Sequence, residues 1–203
     1  MKDEKMSDEK SPAKDDEKKS SSKDDSSSEA PANAPQAGQT APAFALQKVD
    51  SSTTLQLSAF KGKVVVLTFA SYSSPTFRRR AAGLEDLRRR NDNRANFLFI
   101  YTKEAHPKGG WEVDRNKDED VQVEQAKDLS ERSRTAKQMH EALHFSWPML
   151  TDSMDDSAAK AYGAGECTTI IINRDGTIYS RLQWSDPYTL KRQLDELFSK
   201  RES

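Results

Sequence analysis

Three side chains in this sequence are placed where they could do chemistry: Ser74, His106 and Cys167. Ser74 stands between a near-continuous apolar run at residues 63–70 and Pro75, so it sits where a buried strand turns into a helix whose first residue is proline. Unpaired N–H groups and the helix dipole at such a turn favour negative charge, and a cysteine placed there becomes largely thiolate. Here the turn holds Ser73 and Ser74 instead. A serine hydroxyl does not ionise at neutral pH; it can accept a hydrogen bond from the first helical turn, a capping role worth about 1 kcal/mol. No Ser-His-Asp spacing or glycine-rich elbow accompanies it. Cys167 is the single cysteine, which excludes an intramolecular disulfide and a cysteine-based zinc site. It is either a thiol nucleophile or a buried, inert cysteine at a strand start. His106 is either a proton donor and acceptor or a loop histidine bonded to a backbone carbonyl. His140 and His144 are four apart on a predicted helix with no third ligand in register, so no metal site and no cofactor is expected.

The elements that must position these groups are legible from periodicity. Leu55 and Leu57 alternate with polar residues, as on a half-buried strand. Residues 63–70 read as a central strand, and Pro75 to about Asn91 as a helix with Phe77, Ala81, Leu84 and Leu87 on its apolar face. Residues 96–102 are a second buried strand, followed by a polar loop from Lys103 to about Gln122. A long helix from about Val123 to Leu143 and a short strand at residues 148–151 come next. A short helix at residues 157–162 ends at Gly163. The runs 168–173 and 177–182 flank Arg174-Asp175-Gly176, a hairpin signal. Residues 188–199 form a closing amphipathic helix. Arg78, Arg79 and Arg80, with Arg88, Arg89 and Arg90, are expected on the solvated face of the first helix, paired with Glu85, Asp86 and other acids.

Composition divides the chain. Of 203 residues, 34% are hydrophobic and 32% charged, and the polar excess is concentrated in residues 1–38. That segment of Lys, Asp, Glu, Ser, Ala and Pro cannot bury enough apolar surface to offset its ordering entropy, so it is expected to be a disordered tail. Residues 39–203 have the length of one domain with a core of its own. The net charge of −1 and the mixed charges of the tail argue against nucleic acid as a partner. No apolar run approaches the roughly 20 residues of a transmembrane helix. No hydrophobic leader is visible. A soluble protein is expected, with the cytoplasm favoured; oligomeric state is not readable.

Three stretches resemble a known family. Ala41-Pro42-Ala43-Phe44, followed by Leu57-Ser58-Ala59-Phe60-Lys61-Gly62-Lys63-Val64, is similar to the beginning of redoxin and peroxiredoxin domains, and Ser74-Pro75-Thr76 is similar to their Cys-Pro-Thr. Tyr101-Thr102-Lys103-Glu104-Ala105-His106-Pro107-Lys108-Gly109-Gly110-Trp111 resembles the Tyr-Ile-Glu-Glu-Ala-His-Pro-Ser-Asp-Gly-Trp stretch of iodothyronine deiodinases. Asp152-Ser153-Met154 and Tyr162-Gly163-Ala164 are similar to later segments of that family. The resemblance implies an α/β thioredoxin-like fold, a central mixed sheet with helices on both faces. It places the family's selenocysteine at Ser74, its nearby cysteine at Tyr72, its Glu-Ala-His pair at Glu104 and His106, and its Asp-Arg pair at Glu131 and Arg132; its second histidine falls on Ala126. The expected site is therefore Ser74, Glu104, His106 and Cys167, with Tyr72, Ser73, Pro75, Trp111 and Arg132 contacting substrate. If active, the protein would be an oxidoreductase working with a small-molecule or thiol reductant, with Cys167 reaching the site from across the groove. Otherwise the former active-site groove, walled by Tyr72, Ser74, His106 and the Cys167 loop, serves as a binding module.

Overall fold

The structure, a computed structural model, describes residues 31–200; the tail composition read for residues 1–30 lies outside them. Seven strands form one mixed sheet: β1 (Ala45–Lys48), β2 (Thr54–Gln56), β3 (Val64–Ala70), β4 (Ala95–Tyr101), β5 (Met149–Thr151), β6 (Cys167–Ile172) and β7 (Ile178–Leu182). Their order is β2-β1-β5-β4-β3-β6-β7. β3, β4 and β5 run parallel, and β6 pairs antiparallel with β3. All seven residues of β3 are buried, as the Val-rich run requires of a strand covered on both faces. Alternation sends Val64, Val66 and Ala70 to one layer of the core and Val65, Leu67 and Phe69 to the other.

Helices α1 (Pro75–Arg90), α3 (Leu129–Ala142) and α5 (Pro187–Ser199) feed the first layer through residues such as Phe77, Leu84, Met139 and Leu190. Helix α4 (Ser157–Tyr162) feeds the second through Ala158, Ala159 and Tyr162. A short helix α2 (Asp114–Asp118) lies within the stretch expected as an irregular polar loop. Gly83 lets α5 approach α1: a Cβ there would lie 3.0 Å from the Pro187 ring.

Two boundaries differ from the sequence reading. Helix α3 begins at Leu129, not near Val123, because Asp128 caps it by accepting the Glu131 N–H at 2.9 Å. Residues 123–125 are not helical; the Val123 carbonyl accepts the Lys108 N–H and Gln125 Oε1 accepts that of Glu104. Residues 31–38, assigned with the tail, pack on the domain. Ala34 is buried against Gly163, where a Cβ would stand 2.6 Å from that of Ala34, and the Gly38 N–H donates to the Ile178 carbonyl.

Candidate functional site at the β3–α1 junction

The turn at residues 71–74 carries the chain from β3 into α1, and Ser74 is the helix cap. Its Oγ accepts the Phe77 N–H at 3.2 Å and donates to Glu166 Oε1 at 2.7 Å. With a residue exposure of 0%, the hydroxyl is occupied as both acceptor and donor. The other Glu166 oxygen lies 3.4 Å from His106 Nε2, and His106 Nδ1 lies 3.2 Å from the Trp111 carbonyl oxygen. The Trp111 ring meets the imidazole edge-on, with centroids 4.7 Å apart. A carboxylate thus stands between serine and histidine. In a serine hydrolase the imidazole holds that middle place and takes the serine proton; here it does not touch the hydroxyl. The carboxylate is favourably placed beside the positive end of the α1 dipole.

Behind the turn, a second set of bonds ties residues 71–74 to residues 104–106. Glu104 Oε2 accepts the Ser73 N–H at 2.9 Å, and Oε1 accepts the Tyr101 hydroxyl. Tyr101 Oη in turn accepts the Tyr72 N–H at 3.2 Å. Ser73 Oγ accepts the His106 N–H and Ser71 Oγ the Ala105 N–H, each at 3.0 Å. Asn116, from α2, donates to the Ser73 carbonyl at 2.9 Å and the His106 carbonyl at 3.3 Å. Burial pushes the Glu104 carboxyl above its ordinary range despite these hydrogen bonds, and pushes the Tyr101 phenol up as well, with the adjacent Glu104 adding to the rise. Arg78, expected on the solvated face, turns inward: it donates to the Tyr72 carbonyl at 2.6 Å and to Asn116 Oδ1 at 2.8 Å, and pairs with Glu119. Its neighbours follow expectation further along, with Arg89 pairing with Glu85 and Arg90 with Asp86.

Cys167 pairs across the sheet with Ala70 and is fully buried in the layer beneath α1 and α5. Burial raises its thiol to about 11, so at neutral pH roughly one molecule in ten thousand carries a thiolate there. Cys167 opens β6 and enters the core, while Glu166, in the turn just before the strand, reaches Ser74.

Beside this cluster lies a groove of about 460 Å³ whose walls include Lys103, Ala105, Trp111, Asp156, Lys160 and Glu166. Pro31 and Asn33 line it too, so the segment assigned to the tail builds part of the site. Trp111 is 76% exposed at its rim. Of the residues expected to wall the groove, Tyr72, Ser74 and His106 do not line it, nor do Ser73 and Pro75; of the loop before Cys167, Gly165 and Glu166 do, and Tyr72 borders a separate depression with Arg78, Arg115 and Glu119. Arg132 does not line it either. Its buried guanidinium donates to the Ser153 carbonyl at 2.6 Å and to Asp156 Oδ1 at 2.8 Å. Asp156 Oδ1 also accepts the Lys103 N–H at 3.2 Å, so Arg132 holds the groove wall from behind. Glu166, Asn116 and Lys160 were not identified in the sequence. Only the antiparallel pairing of β6 with β3 brings Glu166 to the junction.

The family model described as iodothyronine deiodinase matches residues 27–198. The type II iodothyronine deiodinase of Bos taurus is 29% identical over 178 residues, which cover 83% of this chain and 65% of the relative. The thyroxine 5-deiodinase of Sparus aurata is 31% identical over 144 residues, covering 70% of this chain and 52% of the relative. The chain therefore spans about half to two thirds of the length of these relatives. Among solved structures, the thioredoxin domain of a thiol-disulfide oxidoreductase from Bacteroides vulgatus superposes with a TM-score of 0.58 at 16% identity, covering 79% of this chain and 96% of that one. That likeness shows the thioredoxin fold.

Proposed function

The chain belongs to the iodothyronine deiodinase family, and from that premise we propose that it binds an amphipathic aromatic amino acid of the iodothyronine kind in the groove beside Ser74, without redox turnover at the helix cap. The observation that carries this reading is the state of the Ser74 hydroxyl, which caps α1 and donates to Glu166. Thiols and selenols take up an electrophilic iodine or oxygen and are then reduced; an alcohol has no such cycle. Cys167 does not supply the missing atom, because its sulfur is sealed in the core and its thiol is raised to about 11.

The groove supplies what binding needs. Trp111 and Ala105 offer apolar and aromatic surface, Lys103 and Lys160 cations for a carboxylate, and Asp156 and Glu166 anions for an amine. The polar lacing behind the 71–74 turn keeps these walls in register without a ligand, so little ordering cost remains at binding. Titration with an iodothyronine, followed by quenching of Trp111 fluorescence and by iodide release, tests the reading. Saturable quenching, lost in Trp111→Phe, with no iodide released in the presence of thiol, is the expected result. Iodide release by the unaltered protein would refute it.

A further inference from the structure

At the opposite end of β3, roughly 20 Å from Ser74 at about 3.3 Å per strand residue, lie two adjoining pockets. One, of about 220 Å³, has Ala41, Leu57, Phe60, Val65 and Ile172 among its lining. The other, of about 240 Å³, is lined by polar residues and backbone around Asn93 and Asn96. Lys63 and Arg174 line both. Lys61 joins them on the apolar side and Arg94 on the polar side. Among the described residues none of these four cations forms an ion pair, and Arg94 is held with its guanidinium over the Phe198 ring, 3.9 Å from the centroid. Two carboxylates are near. Asp92 lines the polar pocket, and Asp175 lines the apolar one while accepting the N–H and hydroxyl of Thr177 at 2.9 and 2.7 Å. Among the described residues four cations at this site stand against two acids.

The lining is built for that pairing. The hairpin turn that carries Arg174 is pinned to the Lys61–Lys63 turn, because the Gly62 N–H donates to the Arg174 carbonyl at 3.0 Å. The two turns that carry the shared cations are therefore held side by side by backbone. Phe60 and Leu57 belong to a 3-10 turn (Leu57–Phe60) whose apolar side chains are only partly covered by the core.

We propose that this pole is a binding site for a small amphipathic anion, whose apolar body enters the pocket at Phe60 and Ile172 and whose phosphate or carboxylate lies between Lys63 and Arg174. An apolar cavity alone would take neutral ligands and a basic patch alone would take any anion; the two together select a molecule with both parts. The site is independent of the Ser74 groove.

Phenyl phosphate is a suitable probe, with inorganic phosphate and benzyl alcohol as its two halves, each titrated into the full chain and followed by amide chemical shifts. Saturable shifts around Phe60, Lys63 and Arg174 are expected. Each half should bind about tenfold more weakly than the whole, and Lys63→Ala/Arg174→Ala should weaken phenyl phosphate about tenfold. Both substitutions are at exposed positions and should leave the unfolding midpoint unchanged. No shifts up to about 10 mM, benzyl alcohol or phosphate binding as tightly as phenyl phosphate, or unchanged binding in the double variant would each overturn the proposal.

Discussion

Behind the turn at residues 71–74, polar groups are buried and matched: the Tyr72 and Ser73 N–H groups find Tyr101 and Glu104, and the Ser73 hydroxyl and carbonyl find His106 and Asn116. In front of the same turn, Trp111 stands in solvent at 76% exposure beside an open groove with two lysines. The back is a scaffold in which each lost bond would leave a buried partner unmatched. The front is a surface whose groups water can satisfy. Ser74 belongs to the back by chemistry although it stands where a front-side nucleophile would. Its hydroxyl is occupied by the helix and by Glu166.

Substitutions on the two sides should therefore differ in kind. The largest loss is expected for Glu104→Ala, which strands the Ser73 N–H and the Tyr101 hydroxyl in a buried site and should cost roughly 2–4 kcal/mol in chemical denaturation. A cost under about 0.5 kcal/mol would mean that water fills the gap and that the back is not a closed scaffold. Glu104→Gln keeps the shape and removes the charge. Because burial raises the folded-state carboxyl above its ordinary 4.5, the folded protein binds more protons than the unfolded one across that interval. Wild-type stability should therefore fall, relative to Glu104→Gln, as pH rises through it. Parallel stability curves from pH 4 to 7 would contradict the raised value. Ser74→Ala removes the α1 cap and should cost about 1 kcal/mol. On the front, Trp111→Ala should change stability by less than about 0.5 kcal/mol while abolishing the quenching signal. A larger stability loss would place Trp111 in the scaffold.

The scaffold was more legible in the sequence than the front. A Val-rich run followed by Ser-Pro announced β3, the cap and α1, because burial on both faces and proline at N1 are local rules. Glu104 and His106 were reached through a motif. What local rules could not give depends on distant chain. Helix α3 starts late because residues 123–125 are used by Lys108 and Glu104 far upstream. Arg78 faces inward because Asn116 and the Tyr72 carbonyl await it. At β6 the sequence pointed to Cys167, yet the thiol enters the core and Glu166, in the turn before the strand, reaches Ser74.

By the proposed reading, this site keeps its frame and lacks a reacting atom at Ser74. Thiol-dependent iodide release from an iodothyronine, measured side by side for the wild type, Cys167→Ser and Ser74→Cys, tests it most directly. No release by the first two and measurable release by Ser74→Cys, whose thiol would sit at the α1 N-terminus, is the expected result. Release by the wild type that disappears in Cys167→Ser would contradict it.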